Sequence, residues 1–409
     1  MATERGIEVP DDANEVLFDA LVRHQIYLMR LSGSLRQEIQ SILDATEQDI
    51  ADKIRSRLSD ASGLRSVREL RRLEALLSIV RNIRRKAWEE VDKVWRERLT
   101  DLAKSEPEFM AAIVLTASPV LVETILPPAQ TLKALVTKSP FEGKPLVEWA
   151  RTIADDDIRR IEAAIRVGLV EGENGASIAR RVVGTASLRG ADGVTEITRR
   201  GATSISRTAV NFISNSARDE FLALNADLFD EEQFVATLDS RTTAICRAND
   251  GKKFPLGTGP RPPLHWGCRS LRVPVLLDEA LGDRPAKPST ERMLVQEFAA
   301  QNGLKAVSKR SRLPHGTKGA YDKFSRERIR ELTGQVPAAT SYQEWLKRQS
   351  REFQEDVLGK TKARLFRDGK LPLDKFVNRQ GDELTLAELA GKHADAFKAA
   401  GLDPSAFQQ

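Results

Sequence analysis

The sequence predicts an α+β protein, predominantly helical, with a long N-terminal helical hairpin, a helical middle region and a small antiparallel β unit that holds a Cys/His knot. Three observations predict it. Apolar residues recur at three- and four-residue steps through most of the first 230 positions, the period of amphipathic helices. At Gln233 the period changes to two, in the β-rich run Phe234-Val235-Ala236-Thr237-Leu238. Both cysteines of the chain, Cys246 and Cys268, follow that change, with His265, one of four histidines, between them.

The elements follow in order. From Asn14 to Leu58, Leu21, Leu28, Leu31, Leu35, Ile39 and Ile42 mark one helix face, and Ser59 to Gly63 breaks it. Residues 64 to 99 repeat the pattern with Leu73, Leu77, Val80, Ala87, Val91 and Val94, so the two helices are expected to pair as an antiparallel hairpin, with Trp88 and Trp95 against the partner. The second helix also carries Arg71, Arg72, Arg84, Arg85 and Lys86, a basic density suited to DNA phosphates or, with Glu69, Glu74, Glu89 and Glu90 in reach, to a solvated salt-bridged face. Prolines between Pro107 and Lys144 suggest short helices joined by turns. Helices are expected over Leu146 to Ala150, over Asp155 to Val170 with three acids at its N-terminus, and over Val194 to Leu224 with Ile197, Ala202, Ile205, Ala209, Phe212 and Ile213 inward. Asp250-Gly251 signals a tight turn and Leu271 to Leu276 a second strand. Gly282 to Ser289 reads as a linker, with helices beyond it at Glu291 to Asn302 and Ser341 to Leu358. The resulting units are 1–107, a hairpin; 108–230, helical; 231–280, the β unit with the knot; and 281–409, linker and mainly helical extension.

Composition narrows the function classes. A chain of 409 residues makes two to three domains at roughly 150 residues each. Its 41% hydrophobic and 30% charged content excludes collagen, rod and disordered classes. Two cysteines cannot build a disulfide-framed secreted scaffold. Met1 to Ala13 is polar and acidic, without a signal-peptide pattern, so a cytoplasm-like compartment is expected. Phe109 to Leu126, the most apolar stretch, is broken by Thr116, Ser118, Pro119, Glu123 and Thr124, so no membrane span is expected. A net charge of +5 permits an acidic partner such as nucleic acid without demanding one.

The window from Phe234 to Val275 carries the chemistry. Cys246, His265 and Cys268 form a C-x18-H-x2-C set that could approach one cation, zinc among them, with Asp239, Asp250 or a water as fourth ligand. The second close ligand pair of a two-pair zinc pattern is missing. Four readings stay open at this point: a buried knot without metal, a cation site, a Cys246–Cys268 disulfide, and a cysteine nucleophile with His265 as base. Arg241 and Arg269 can pair with Asp239 or Asp250 to hold the window electrostatically. His24 and His393 read as core-edge or solvent-facing, and His315 as part of an exposed basic loop.

These residues resemble a known family, the phage Mu F-type head morphogenesis or minor capsid proteins. The signature of that family is similar to Asp239-Ser240-Arg241-Thr242, Cys246, Asp250-Gly251-Lys252, then Pro262-Pro263-Leu264-His265-Trp266-Gly267-Cys268-Arg269 and the strand Val273-Pro274-Val275. The chain departs from it at Trp266-Gly267, where Pro-Asn is usual, and at Ser270, where a second Cys is usual. The resemblance spans residues 140 to 277 and takes in Arg207-Thr208. It implies a non-enzymatic virion component, made in the host cytoplasm and built into the head at the portal vertex, with the portal protein and major capsid protein as partners and nonspecific contact with packaged DNA. From a different class, a metal-dependent nuclease or toxin-like enzyme would use His265 or His315 as base and Asp239 as ligand.

Overall fold

Burial of two long apolar stripes organises the N-terminal region. The computed structural model describes residues 13–58, 67–117, 123–275, 283–337, 340–378 and 381–407. The expected helix break at Ser59 to Gly63 lies outside these residues, as does Pro119. Helix α1 (Ala13–Arg57) turns Leu21, Leu28, Leu35, Ile39, Leu43 and Ile50 inward, and α2 (Val67–Ala117) answers with Leu77, Val80, Val91, Trp95 and Leu99. The two pair as expected, but α2 continues through Pro107, so residue 107 falls inside a helix and not at an element boundary. Met110, Ile113 and Val114 extend the buried face past the proline and pack with Phe18, Leu21 and Phe221. That burial offsets the roughly 3 kcal/mol that a helix-interior proline costs.

The middle region layers onto this hairpin. Helix α3 (Ala129–Thr137) and the two-residue strands β1 (Pro140–Phe141) and β2 (Lys144–Pro145) lead into α4 (Leu146–Val170), α5 (Gly175–Val183) and α6 (Thr195–Leu224). The two expected helices around residue 150 are one, and the acids at 155–157 lie within it. Asp157 is fully buried there, because it accepts from Arg84 Nε at 2.6 Å and from Trp88 Nε1 at 2.9 Å. Arg84 is therefore not available to DNA. Its guanidinium is sealed in the core, donating also to the Leu43 carbonyl and Thr46 Oγ1. Ile197, expected inward on α6, is exposed, while Ala202, Ile205, Ala209 and Ile213 are buried. Gly193 must be glycine: a Cβ there would run into the backbone of Val183 and Gly184, where the α5–α6 connection folds back on itself.

The sheet comes next. Strand β3 (Glu231–Val235), helix α7 (Ala244–Asn249), β4 (Lys253–Pro255) and β5 (Leu271–Val275) form an antiparallel sheet in the order β4-β3-β5, with Gln233 opposite Val273. One face, through Val235, Leu271 and Val273, packs on the α1–α2–α6 end of the bundle, and the other, through Phe234 and Ala236, covers the two cysteines. The stretch read as a linker holds strand β6 (Asp283–Ala286), which pairs with β7 (Gly334–Pro337) beyond α8 (Glu291–Gln301) and α9 (Lys318–Leu332). The helix expected over 341–358 is two, α10 (Tyr342–Lys347) and α11 (Arg351–Leu358), because Ser350 caps a new start by accepting from the Phe353 amide. With α12 (Lys360–Arg367), α13 (Leu386–Lys392) and α14 (Ala394–Ala399) they enclose a second core around Tyr342, Trp345, Phe353, Phe366 and Phe397, which also takes in Leu238. Among the described residues no helix is long and apolar enough to cross a membrane.

Candidate metal centre

The turn after β3 is built by Asp239. Its carboxylate accepts from the Arg241 amide at 3.0 Å and from the Arg269 guanidinium through two bonds of 2.5 and 2.8 Å. Burial would raise its pKa, but the hydrogen bonds and charge of Arg269 outweigh this and hold it below the usual carboxylate range. Thr242 closes the turn by donating Oγ1–H to the Thr237 carbonyl. The chain then enters α7 with Cys246 facing inward. Asp250 at the end of α7 accepts from the Ala236 amide and from the Tyr342 amide, both at 2.6 Å. Gly251, at φ +79°, sends its own N–H to the Phe234 carbonyl, so the helix is fastened to β3.

The second half of the window brings His265 and Cys268 back to Cys246. Pro263, after a cis peptide bond, leads into a four-residue turn closed by the Cys268 N–H on the His265 carbonyl at 3.1 Å. Gly267 occupies the left-handed position at φ +71°, as a type II turn requires at its third residue. The Gly267 N–H donates to Thr208 Oγ1 on α6 at 2.9 Å, and the Trp266 ring meets Trp149 edge-on at 4.9 Å. Two of the three residues that depart from the family pattern, Trp266 and Gly267, thus tie the turn to α4 and α6.

Cys246 Sγ lies 3.3 Å from His265 Nε2 and 3.8 Å from Cys268 Sγ, and all three donor atoms fall within 4.8 Å of one another. Both cysteines are buried and free. Their separation is far beyond the ~2.05 Å of a disulfide. In a tetrahedral zinc site with Zn–S of about 2.3 Å and Zn–N of about 2.05 Å, the S···S edge is about 3.8 Å and the S···N edge about 3.6 Å, close to the two edges that meet at Cys246. His265 Nδ1 is 3.0 Å from the Trp266 carbonyl, a contact that places a ring proton on Nδ1 and turns Nε2 toward the sulfurs. The hydrogen bond from the Cys246 thiol, then that of His265, lowers Cys268 against the opposing effect of burial. Cys246 is pushed up by Cys268 and by burial. Burial would depress His265, but the hydrogen bond and charge of Cys268 raise it.

The sequence-predicted residues divide as follows. Cys246, His265 and Cys268 come together, and among the described residues they are the group of His, Cys, Asp and Glu close enough to share an ion. Asp239 does not join them: Arg269 engages both of its oxygens, and it orders the turn. Asp250 is likewise committed to two amides. His315 is exposed ahead of α9, and His24 packs on Phe109 with Nε2 2.6 Å from the buried Glu106. Arg71, Arg72, Arg85 and Lys86 are exposed on α2. Sequence reasoning missed the charge cluster beneath the sheet, where Arg261 and Arg272 both meet the buried Glu232, at 2.6 and 3.3 Å, and Arg261 also pairs with Asp219. The available signal was an arginine in the middle of an otherwise apolar strand.

The small sheet of this helical scaffold carries a three-donor Cys/His group, and one comparison with known proteins covers it. Residues 159–272 match the family described as "Phage Mu protein F like protein", a span that runs from within α4 to β5 and contains the whole knot. By that match the chain carries a phage Mu F-like segment. No curated protein and no solved structure matches it.

Proposed function

We propose that the protein is a minor, non-enzymatic component of a tailed-phage head, seated at the portal vertex, where it binds the portal protein and the major capsid protein and touches packaged DNA. The family match over residues 159–272 carries the reading. The Cys/His knot serves it as a structural staple, with zinc as the ion its donor set suits. The long α1–α2 hairpin, whose outer faces are charged and solvent-exposed, supplies the docking surface. The test is co-sedimentation of the purified chain with portal rings and with empty heads, together with mass spectrometry of purified particles. Retention on the rings and presence in particles are expected. A chain that neither assembly retains, and that particles lack, overturns the reading.

A further inference from the structure

A cavity of about 740 Å³ lies between α1 and α6 with the knot turn at one end. Six arginines line it: Arg36 on α1, Arg199, Arg200 and Arg207 on α6, and Arg241 and Arg269 beside the knot, against a single acid, Glu196. Arg199 is neutralised by Asp44, Glu47 and Glu196, Arg200 shares Glu196, and Arg241 and Arg269 share Asp239. Arg36 and Arg207 have no carboxylate partner among the described residues, and the Nε of Arg36 is buried without any hydrogen bond.

We propose that this cleft binds the phosphate groups of a nucleic-acid strand, with Arg36 and Arg207 as the primary contacts. Two uncompensated guanidinium groups facing one water-filled space repel each other, so a structure that retains them is completed by an anion. Burial, then the charges of Arg36, Arg241 and Arg269, pull Arg207 below its ordinary value, which is the same repulsion seen at one residue. Every cationic group on the wall is an arginine, whose planar fork matches phosphate oxygens in pairs. The hydroxyls of Ser32, Thr203 and Ser204 lie along the same walls, and Trp266, 38% exposed, stands where an unpaired base can meet it. This deepens the proposed contact with packaged DNA and moves it from α2 to the cleft.

The experiment is fluorescence anisotropy with a labelled 20-nucleotide single strand and its duplex across a salt series, on the full chain. For Arg36→Gln/Arg207→Gln, affinity near 100 mM salt should fall at least tenfold. The slope of log K against log salt should shrink in magnitude by about 1.4–1.8, because each lost phosphate contact is worth roughly 0.7–0.9. Arg207→Gln alone, at an exposed position, should give half of that change. The melting temperature should hold or rise, because no ion pair is broken. An α2 variant with Arg71, Arg72, Arg85 and Lys86 all changed to Gln should leave the slope unchanged. An unchanged slope in the cleft variant, a loss confined to the α2 variant, or displacement of DNA by a polyglutamate peptide at equal charge overturns the proposal. Co-sedimentation of the cleft variant with heads separates the two readings, since it tests the morphogenesis role whatever the DNA result.

Discussion

Asp157→Asn is expected to destabilise the helical core severely although it exchanges a single oxygen for an amide nitrogen. Asp157 and Arg84 are both fully buried, with Nε and Oδ2 2.6 Å apart. Removing the carboxylate charge leaves a buried guanidinium without its counter-ion, a change that typically costs about 3–5 kcal/mol. Three hydrogen bonds survive: Arg84 to the Leu43 carbonyl at 3.1 Å, Arg84 to Thr46 Oγ1 at 2.9 Å, and Trp88 to the new amide oxygen. The two from the guanidinium are worth about 1.5–3 kcal/mol each and the indole bond about 0.5–1.5 kcal/mol, so the loss should fall near the lower end, about 3 kcal/mol. Arg84→Met strands the carboxylate with Trp88 alone and removes the bonds to Leu43 and Thr46, which places it nearer 5 kcal/mol. The double variant Arg84→Met/Asp157→Leu should cost less than either single change, because a well-packed apolar pair needs no charge partner. Urea unfolding followed by tryptophan fluorescence reads this locally, since Trp88 and Trp95 lie in the same cluster. A single-variant cost under about 1 kcal/mol, or additive costs in the double variant, refutes the reasoning. So does an Arg84→Met protein of full stability that loses one unit of salt slope in DNA binding, which would return Arg84 to the DNA-contacting set.

Two further outcomes follow from the sheet and the knot. Burial pushes Asp219 up to about 6, against Arg261 and with the help of the Glu232 charge, whereas an unfolded aspartate titrates near 3.9. The folded state therefore holds a proton that the unfolded state has released, and the stability contributed by that proton is present below about pH 4 and lost as pH rises through 6. The difference is on the order of 2–3 kcal/mol, read as the gap between the pH–stability profiles of the parent and Asp219→Asn; parallel profiles would show the titration to be absent. Elemental analysis should find one zinc per chain, reduced by Cys246→Ser or Cys268→Ser, and a chelator should lower the melting temperature of the parent but not of those variants. A parent chain purified without any bound metal, and insensitive to the chelator, leaves the knot held by its hydrogen bonds alone.

Helix existence was legible because burial is periodic: one stripe per helix, read at three- and four-residue steps, is sufficient to find α1, α2 and α6. The ends and interruptions were not legible, and each for a physical reason. Pro107 signals a stop locally, yet Met110, Ile113 and Val114 continue the buried face beyond it. The acids at 155–157 resemble a helix start, yet Asp157 answers an arginine 73 positions earlier, and no local pattern encodes that pairing. Arg84 shows the same limit from the other side, since a basic run on a helix does not reveal which member turns inward. Within the knot, the pattern of Cys246, His265 and Cys268 was sufficient to place three donors together. The role of Asp239 could not be read, because Arg241 and Arg269 were equally plausible partners for it along the chain and only the fold commits both of its oxygens to Arg269. The exchange of Asn for Gly at 267 is physically conservative, because both residues tolerate the left-handed conformation that the turn imposes there.

The position of the knot argues that it reinforces a junction that the β3–β5 ladder and the Asp239–Arg269 pair also hold. From the His265–Cys268 turn, the Gly267 N–H reaches α6 at Thr208, the Ser270 carbonyl accepts from Asn211 on α6, and the Arg269 carbonyl accepts from Gln25 on α1. From the Cys246 side, the Asp239 carbonyl accepts from the Tyr342 hydroxyl at 3.0 Å, Asp250 takes the Tyr342 amide, and Arg247 donates to the Val357 carbonyl. One half of the window therefore grips the N-terminal bundle and the other half grips the C-terminal core. The contact between Cys246 and the His265–Cys268 pair is one of the places where the two halves meet, beside the β3–β5 ladder and the Asp239–Arg269 pair. An ion at that point would cross-link them at three side chains, whereas hydrogen bonds to sulfur alone are weak. Loosening the three donors should consequently separate the bundle and the C-terminal core into two unfolding transitions where the closed knot makes them cooperative. This explains why the chemistry of the chain is concentrated in a segment that has little apolar surface of its own.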